Sequence, residues 1–296
     1  MRKMISSLLW AAVSGVMLLS GVSCEKMIVG DDGNDDANVV LRVTSFEQVP
    51  FSLARTRRDV SEVCSRLNFI VYDEGATKRL YEVKQEKEDE GFGVAKFKLS
   101  PGKYFVVILA HNGLGNPSTT NPVKIEFSKE TGFTDTFLWS DYINVGEEDL
   151  DRPVDLIRIV SKVLFEFYDE IPANASRMRF YYKGGSGSLD ATHDGWGSVN
   201  SKQNQWYDIN HTEEKFEIYT IPHKQEKEYL EVDAYSYSQS NDGTDDYLTH
   251  KRIDSIPILR NKITICQGFL FSPVYGAQFR INIIDNWDSE TLNMNF

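Results

Sequence analysis

Cysteine is scarce in this chain, with three among 296 residues at positions 24, 64 and 266. Spacing that wide excludes a disulfide-stapled scaffold and any multi-cysteine zinc site. Cys64 and Cys266 fall in different halves and predict free thiols, since a bridge requires their Cα atoms to come within about 7 Å. Positive charge is short as well. Lys and Arg number 32 against 44 Asp and Glu, for a net charge of −12, or −14 without a leader that holds Arg2 and Lys3. Such a surface lacks the cations on which nucleic-acid affinity depends. The common catalytic signatures are missing too: no His-Glu-x-x-His, no Gly-x-x-x-x-Gly-Lys-Ser/Thr and no Gly-x-Ser-x-Gly. His111, His193, His211, His223 and His250 are scattered at spacings that fit no common metal site. Lys183 to Ser188 is glycine-rich but lacks the following helix and terminal lysine of a phosphate cradle, and reads as a flexible hairpin or loop. Asp242 to Asp246 lacks the twelve-residue calcium-loop pattern and reads as a solvated turn. Neither a cofactor nor a metal is expected. Only a glycosidase carboxylate pair stays open, because abundant acids always offer candidates.

What is present begins with an address. Arg2 and Lys3 precede a run from Met4 to Leu19, almost wholly apolar or small. That is the length of a signal-peptide core and short of the roughly 20 residues a spanning helix needs. Gly21-Val22-Ser23-Cys24 follows and resembles a bacterial lipobox, with Gly21 where Leu or Val is usual. Residues 1–23 are therefore expected to be a lipoprotein signal peptide, with Cys24 as the lipidated residue. An ordinary secretory signal or a plain transmembrane anchor is the alternative. Several acyl chains, each CH₂ worth about 0.8 kcal/mol when buried, would give durable attachment. Residues 24–37 hold five acids and one lysine, too little apolar surface to offset ordering, and read as a solvated acidic tether.

Beyond the tether the pattern is β. Hydrophobic residues make up 41% and aromatics 12% of the chain, enough to build real cores. Strands are expected at Val39–Val43, Leu67–Val71, Gly93–Leu99, Tyr104–Leu109, Val123–Phe127, Phe137–Trp139, Met178–Tyr182, Phe216–Tyr219, Tyr229–Tyr237, Ile263–Ile265 and Phe279–Ile283. Val154–Tyr168 suits a helix or a strand, and its β-branched content favours one strand. Tyr104–Leu109 is apolar at every position, as in a central strand buried on both faces. The acidic stretch Gly146 to Pro153 marks a boundary, giving an all-β chain of two tandem sandwiches at 38–150 and 151–296. Val-Tyr-Asp-Glu at 71–74 and Phe-Tyr-Asp-Glu at 167–170 echo one another, as two similar units would. Gly195-Trp196-Gly197 and Gln205-Trp206-Tyr207 lie in what reads as a long polar loop. Trp196 and Trp206 there either cap the core or offer rings to a sugar or a partner.

Several phrases together resemble the FimB-like fimbrial subunit and anchor family of Bacteroidota, which belongs to the type V pilus. They are the lipobox at Cys24, Phe46 to Phe51, Arg66 to Asp73, Pro101 to Tyr104, Ala110 to Gly113, Lys162 to Phe165 and Asp169 to Pro172. The acidic residues after Cys24 resemble the export signal that sends lipoproteins of that phylum to the cell surface. The resemblance implies transthyretin-like sandwiches, a lipid-anchored protein of the outer membrane, no catalytic residues, and a place as anchor, stalk or tip component. In stalk pilins of that type an arginine-directed protease removes the first strand, and Arg57 and Arg58 stand where such a cut would fall. Retention of the strand is the favoured reading. At the other end Leu292, Met294 and Phe296 alternate with polar residues, as a strand donated to a neighbour would, although Phe279 to Phe296 can equally be the last strands of its own domain.

The expected function is a non-enzymatic, lipid-anchored fimbrial protein of the cell surface, an anchor or accessory subunit joined to other fimbrial subunits by strand addition and supporting adhesion to a host or bacterial ligand. The alternative is a glycan-binding surface lipoprotein that uses Trp196 and Trp206.

Overall fold

The computed structural model describes residues 36–47, 59–128, 133–211, 215–225, 228–239, 245–272 and 279–284. It is an all-β architecture of four sheets. In chain order the strands are β1 (Val39–Glu47), β2 (Arg66–Tyr72), β3 (Arg79–Glu86), β4 (Val94–Phe97), β5 (Gly102–His111), β6 (Ile125–Glu126), β7 (Thr136–Val145), β8 (Leu150–Arg158) and β9 (Ser161–Phe167). They continue as β10 (Arg177–Lys183), β11 (Ser188–Asp190), β12 (Trp196–Gly197), β13 (Lys202–Asp208), β14 (Lys215–Thr220), β15 (Tyr229–Gln239), β16 (Asp245–Pro257), β17 (Ile263–Gly268) and β18 (Arg280–Ile284). Among the described residues one short α-helix, Val60–Val63, is capped by Asp59, and one 3₁₀ turn, Ala191–His193, by Asp190.

The seven-stranded sheet β3-β2-β5-β7-β8-β1-β4 folds on itself. Strands β7 and β8 pair only at Phe137 with Arg158 and Leu138 with Ile157, then separate, so β8-β1-β4 forms a second leaf facing β3-β2-β5-β7. Between the leaves lies a core of Val39, Leu41 and Val43 from β1, Phe69 and Val71 from β2, and Val106 and Ile108 from β5. The period-two alternation puts the intervening residues, Ile70, Tyr72, Phe105, Val107 and Leu109, on the opposite face. That face is buried in turn, under Ile159, Val160, Leu164, Leu189, Ile221 and Ile263 of the second half. The all-apolar reading of Tyr104–Leu109 has this cause.

The second half repeats the first. Its leaves are β13-β10-β15-β16 and β14-β9-β17-β18, closed over Phe165, Phe180, Met178, Val232 and Cys266. Phe165 and Phe180 stack across that interior, centroids 4.7 Å apart. Strand by strand the pairings correspond. β1 lies between parallel β8 and antiparallel β4, and β9 lies between parallel β17 and antiparallel β14. β2-β5-β7 with β3 on the edge corresponds to β10-β15-β16 with β13 on the edge. The extra short strands also meet, since β6 of the first half pairs with β11 of the second.

Three expectations are corrected. Val154–Tyr168 is two strands, not one, because the chain changes sheets at the buried pair Ile159–Val160. Gly184–Ser188 is no flexible loop: Gly185, Ser186 and Ser188 are buried, and a Cβ at Gly185 would stand 2.0 Å from the Thr220 Oγ1. Trp196 and Trp206 belong to strands β12 and β13 rather than to a long polar loop. Strand β8 opens at Leu150 and pairs with β1, so the chain leaves the seven-stranded sheet only after Arg158. At that point Arg158 forks onto Asp135, with Nε 2.6 Å from Oδ1 and Nη2 2.7 Å from Oδ2, and lies 4.6 Å over the Phe137 ring. Cys64 and Cys266 are free and buried in separate cores, and burial pushes both thiols up to about 12.

One buried histidine ties stability to pH. His111 ends β5 fully enclosed; its Nε2 donates to the Asn68 Oδ1 at 3.1 Å and its Nδ1 accepts the Gly113 N–H at 3.1 Å. Burial, aided by the charge of Arg66, lowers its pKa from 6.5 to about 4. The unfolded chain takes up this proton first, so stability is full above about pH 6.5 and is lost as pH falls towards 4. The loss expected is of order 3 kcal/mol at about 1.4 kcal/mol per pH unit. Urea midpoints measured between pH 7 and 4 should fall, and His111→Gln should flatten this part of the profile; a slope unchanged by the substitution would refute the assignment.

Candidate functional site

Strand β1 is held as firmly as a first strand can be. Asn38 clamps its entry on both sides: the side chain donates to the Leu99 carbonyl and accepts from the Leu99 N–H, both at 2.8 Å. Its backbone N–H reaches Phe97 O at 3.1 Å and its carbonyl takes the Leu150 N–H at 2.8 Å. Val39, Leu41 and Val43 then point into the core, while Arg42 on the outer face forks onto Asp151 at 2.9 and 2.7 Å. That pair is exposed, so it adds little beyond orientation. A register shift between Val43 and Ser45 marks a bulge; Thr44 Oγ1 and Ser45 Oγ both donate to Asp155 Oδ1 there. Phe46 closes the strand edge-on against Phe137, centroids 5.0 Å apart. Eight register pairs join β1 to β8 and four join it to β4. Taking β1 away would leave two facing strand edges and a core stripped of three side chains, which is a groove shaped for another strand.

The counterpart β9 has neighbours of the same orientation, β17 parallel and β14 antiparallel, but follows other described strands in the chain. At the other terminus β18 pairs with β17 through five positions; Ile281 packs on the second core, while Ile283 is exposed. The outer edge of β18 has no strand partner among the described residues. Of Phe279 to Phe296, which the sequence leaves either as last strands of its own domain or as a donated strand, the described part Arg280–Ile284 pairs with β17. Cys24, Arg57, Arg58, Leu292, Met294 and Phe296 lie outside the described residues.

The two tryptophans are not brought together. Trp196 belongs to the small sheet β12-β11-β6, with the Arg260 guanidinium 4.9 Å over its ring. Its flanking glycines have a packing cause. Gly195 has φ +69°, and a Cβ there would stand 2.4 Å from the Leu138 Cδ2 of the first half; one on Gly197 would stand 2.9 Å from the Ile221 carbonyl. Trp206 lies on the outward face of β13-β10-β15-β16. Register sets Trp206 beside Arg179, Arg179 beside Tyr235 and Tyr235 beside His250, one residue from each strand. Tyr235 and His250 stack at 4.4 Å, Trp206 and Tyr237 lie 5.5 Å apart, and Arg177 covers Trp206 at 4.5 Å. The sequence reading passed over Arg177, Arg179, Tyr235, Tyr237 and His250. The signal was available in the outward positions of strands already identified, the residues alternating with Met178, Phe180, Val232 and Ala234.

No protein family matches the sequence, and neither does any curated protein. Solved structures do. A candidate cell adhesion protein of Parabacteroides distasonis aligns with a TM-score of 0.49 at 10% identity, over 84% of this chain and 97% of that one. A candidate adhesin of Bacteroides thetaiotaomicron gives 0.47 at 11%, over 86% and 98%. The tip fimbrial protein Mfa3 of Porphyromonas gingivalis, with C-terminal truncation, gives 0.38 at 12%, over 83% and 99%.

Asn38→Ala removes both side-chain bonds to Leu99 and should cost about 1–2 kcal/mol in a urea melt. The amides of β1 should then exchange faster than those of β9; equal acceleration in both strands would show that Asn38 does not anchor β1.

Proposed function

We propose that this chain is a lipid-anchored fimbrial protein of the bacterial surface, an anchor or accessory subunit that joins its partners by strand addition. The observation that carries this reading is the place of β1, which is first among the described strands and yet central in its leaf. Such a strand either stays and closes the leaf or leaves and opens a groove. The clamps at Asn38 and the burial of Val39, Leu41 and Val43 favour its staying. A subunit that keeps β1 accepts no strand in that leaf, although it still has a C-terminal segment to donate. It therefore ends an assembly rather than extending one, which fits an anchor held by acyl chains on Cys24. Leu292, Met294 and Phe296 are the proposed donor positions, and Arg57 and Arg58 the proposed cut site should β1 be shed.

The two sandwiches are proposed as transthyretin-like domains with their joint at Ile159–Val160, where the chain passes from one sheet to the next. No step of the proposed role calls for catalysis. Its elements are acyl burial, backbone pairing, and an adhesive surface presented outside the outer membrane.

Two measurements test the reading. Cys24→Ala should move the protein from the membrane fraction to the soluble one, and unchanged fractionation would rule out the lipid anchor. Mass spectrometry of the mature N-terminus should find acylated Cys24 with residues 25–58 attached. A free N-terminus at Asp59 would instead make this a subunit with an open groove.

A further inference from the structure

The outward face of β13-β10-β15-β16 carries a feature that strand joining does not use. Its centre is Arg179. The guanidinium stands 5.5 Å from the Trp206 ring, 5.6 Å from Tyr181 and 5.4 Å from Tyr235, so aromatic rings surround it on three sides. Its Nε donates to Asn204 Oδ1 at 2.7 Å, which fixes the plane of the fork. The two terminal amino groups have no hydrogen-bond partner among the described residues, and neither belongs to the buried, unpartnered polar atoms. Their four N–H groups are therefore unspent and reach solvent.

The other cations of β10, β15 and β16 on this face are spent. Arg177 pairs with Asp208 at 3.3 Å, Lys183 with Glu231 at 2.7 Å, and Arg252 with both Glu231 and Asp254, while the His250 ring shares a hydrogen bond with Asp233 at 2.8 Å. Among the described residues no carboxylate lies within 4 Å of Arg179, in a chain whose net charge is −12. A planar fork with free N–H pairs is the donor arrangement that a carboxylate accepts in bidentate fashion. Flat rings beside it suit the apolar faces of a pyranose, and Asn204 and Asp233 offer further groups to hydroxyls.

We propose that this face binds an acidic saccharide, seating a uronic-acid carboxylate on Arg179 and the sugar rings on Trp206 and Tyr235. A nucleic acid is disfavoured because its affinity grows with the number of cations set against its phosphates, and among the described residues of β10, β15 and β16 on this face Arg179 alone has no carboxylate partner. Protein interfaces favour Trp, Tyr and Arg as well but shed acidic residues, and here Asp208, Glu231, Asp233 and Asp254 share the face with Arg179. The proposal is independent of the strand-joining role and concerns what the assembled protein holds on to.

The test is affinity electrophoresis of the mature chain in gels containing polygalacturonate, alginate or hyaluronan, each compared with its carboxyl-reduced form. Retardation by at least one native polymer is expected, with loss on carboxyl reduction. Arg179→Gln should weaken it roughly tenfold or more, the worth of a charge-assisted pair. Lys183→Gln, on the same face but already paired, should change it by less than about twofold, and both variants should melt with the parent. Equal retardation by a reduced polymer, an equal loss in Lys183→Gln, or binding to none of the three overturns the proposal. So does self-association in the ultracentrifuge that Arg179→Gln abolishes, since the face would then be a contact between copies.

Discussion

The two-sided burial of one leaf holds the molecule together. Strands β2 and β5 send Phe69, Val71, Val106 and Ile108 into one core and Ile70, Tyr72, Val107 and Leu109 into another. Because a strand alternates its side chains strictly, each of these strands needs two covers, and each cover comes from a different stretch of chain. The leaf containing β1 supplies one. The buried turn at Ile159–Val160, with β11 and the residues around Ile221, supplies the other. The first sandwich is thus complete only when the second half is docked on it, and Gly195 serves that docking by letting backbone approach the Leu138 side chain that a Cβ would strike.

Much of this was legible in the sequence, and for a physical reason. Strands that alternate or are wholly apolar announce themselves, as β2, β4, β5 and β10 did, and an apolar run through Leu109 already implied a strand covered on both faces. The two halves share a strand order, but the echo of Val-Tyr-Asp-Glu in Phe-Tyr-Asp-Glu does not carry it, because it falls at the ends of β2 and β9, which are not counterparts. The hidden elements are polar ones. β3, β13 and β16 are rich in Lys, Glu, Asn, Gln and Asp on their outward faces, and β3 and β13 are edge strands. Edge strands meet solvent along one side, so composition does not set them apart from loops. The break at Ile159 escaped notice because both segments it separates are apolar, and only tertiary pairing shows that they belong to different sheets.

The candidate site was less legible than the fold. Trp206 was singled out as an aromatic in polar surroundings, yet its setting depends on cross-strand register, which joins residues 179, 206, 235 and 250 into one row. No spacing along the chain encodes such a row. Trp196 carried the same sequence signal and stands in a packing role under Arg260. A tryptophan in polar surroundings reads alike in both situations; what separates them is that Trp196 sits between two glycines needed for close approach, whereas Trp206 is flanked by Gln205 and Tyr207.

Strand β1 has a mechanical consequence as well. Any tension carried by the chain that precedes Val39 enters the fold along the axis of β1. Its bonds to β8 and β4 run across that axis, with eight positions on one side and four on the other. A pull in this direction strains the whole ladder together, as in shear, instead of opening it one rung at a time like a zipper. Asn38, bonded to strand neighbours on both sides, is the first point to take the strain. A tether entering this way is fastened to the strongest grain of the sheet.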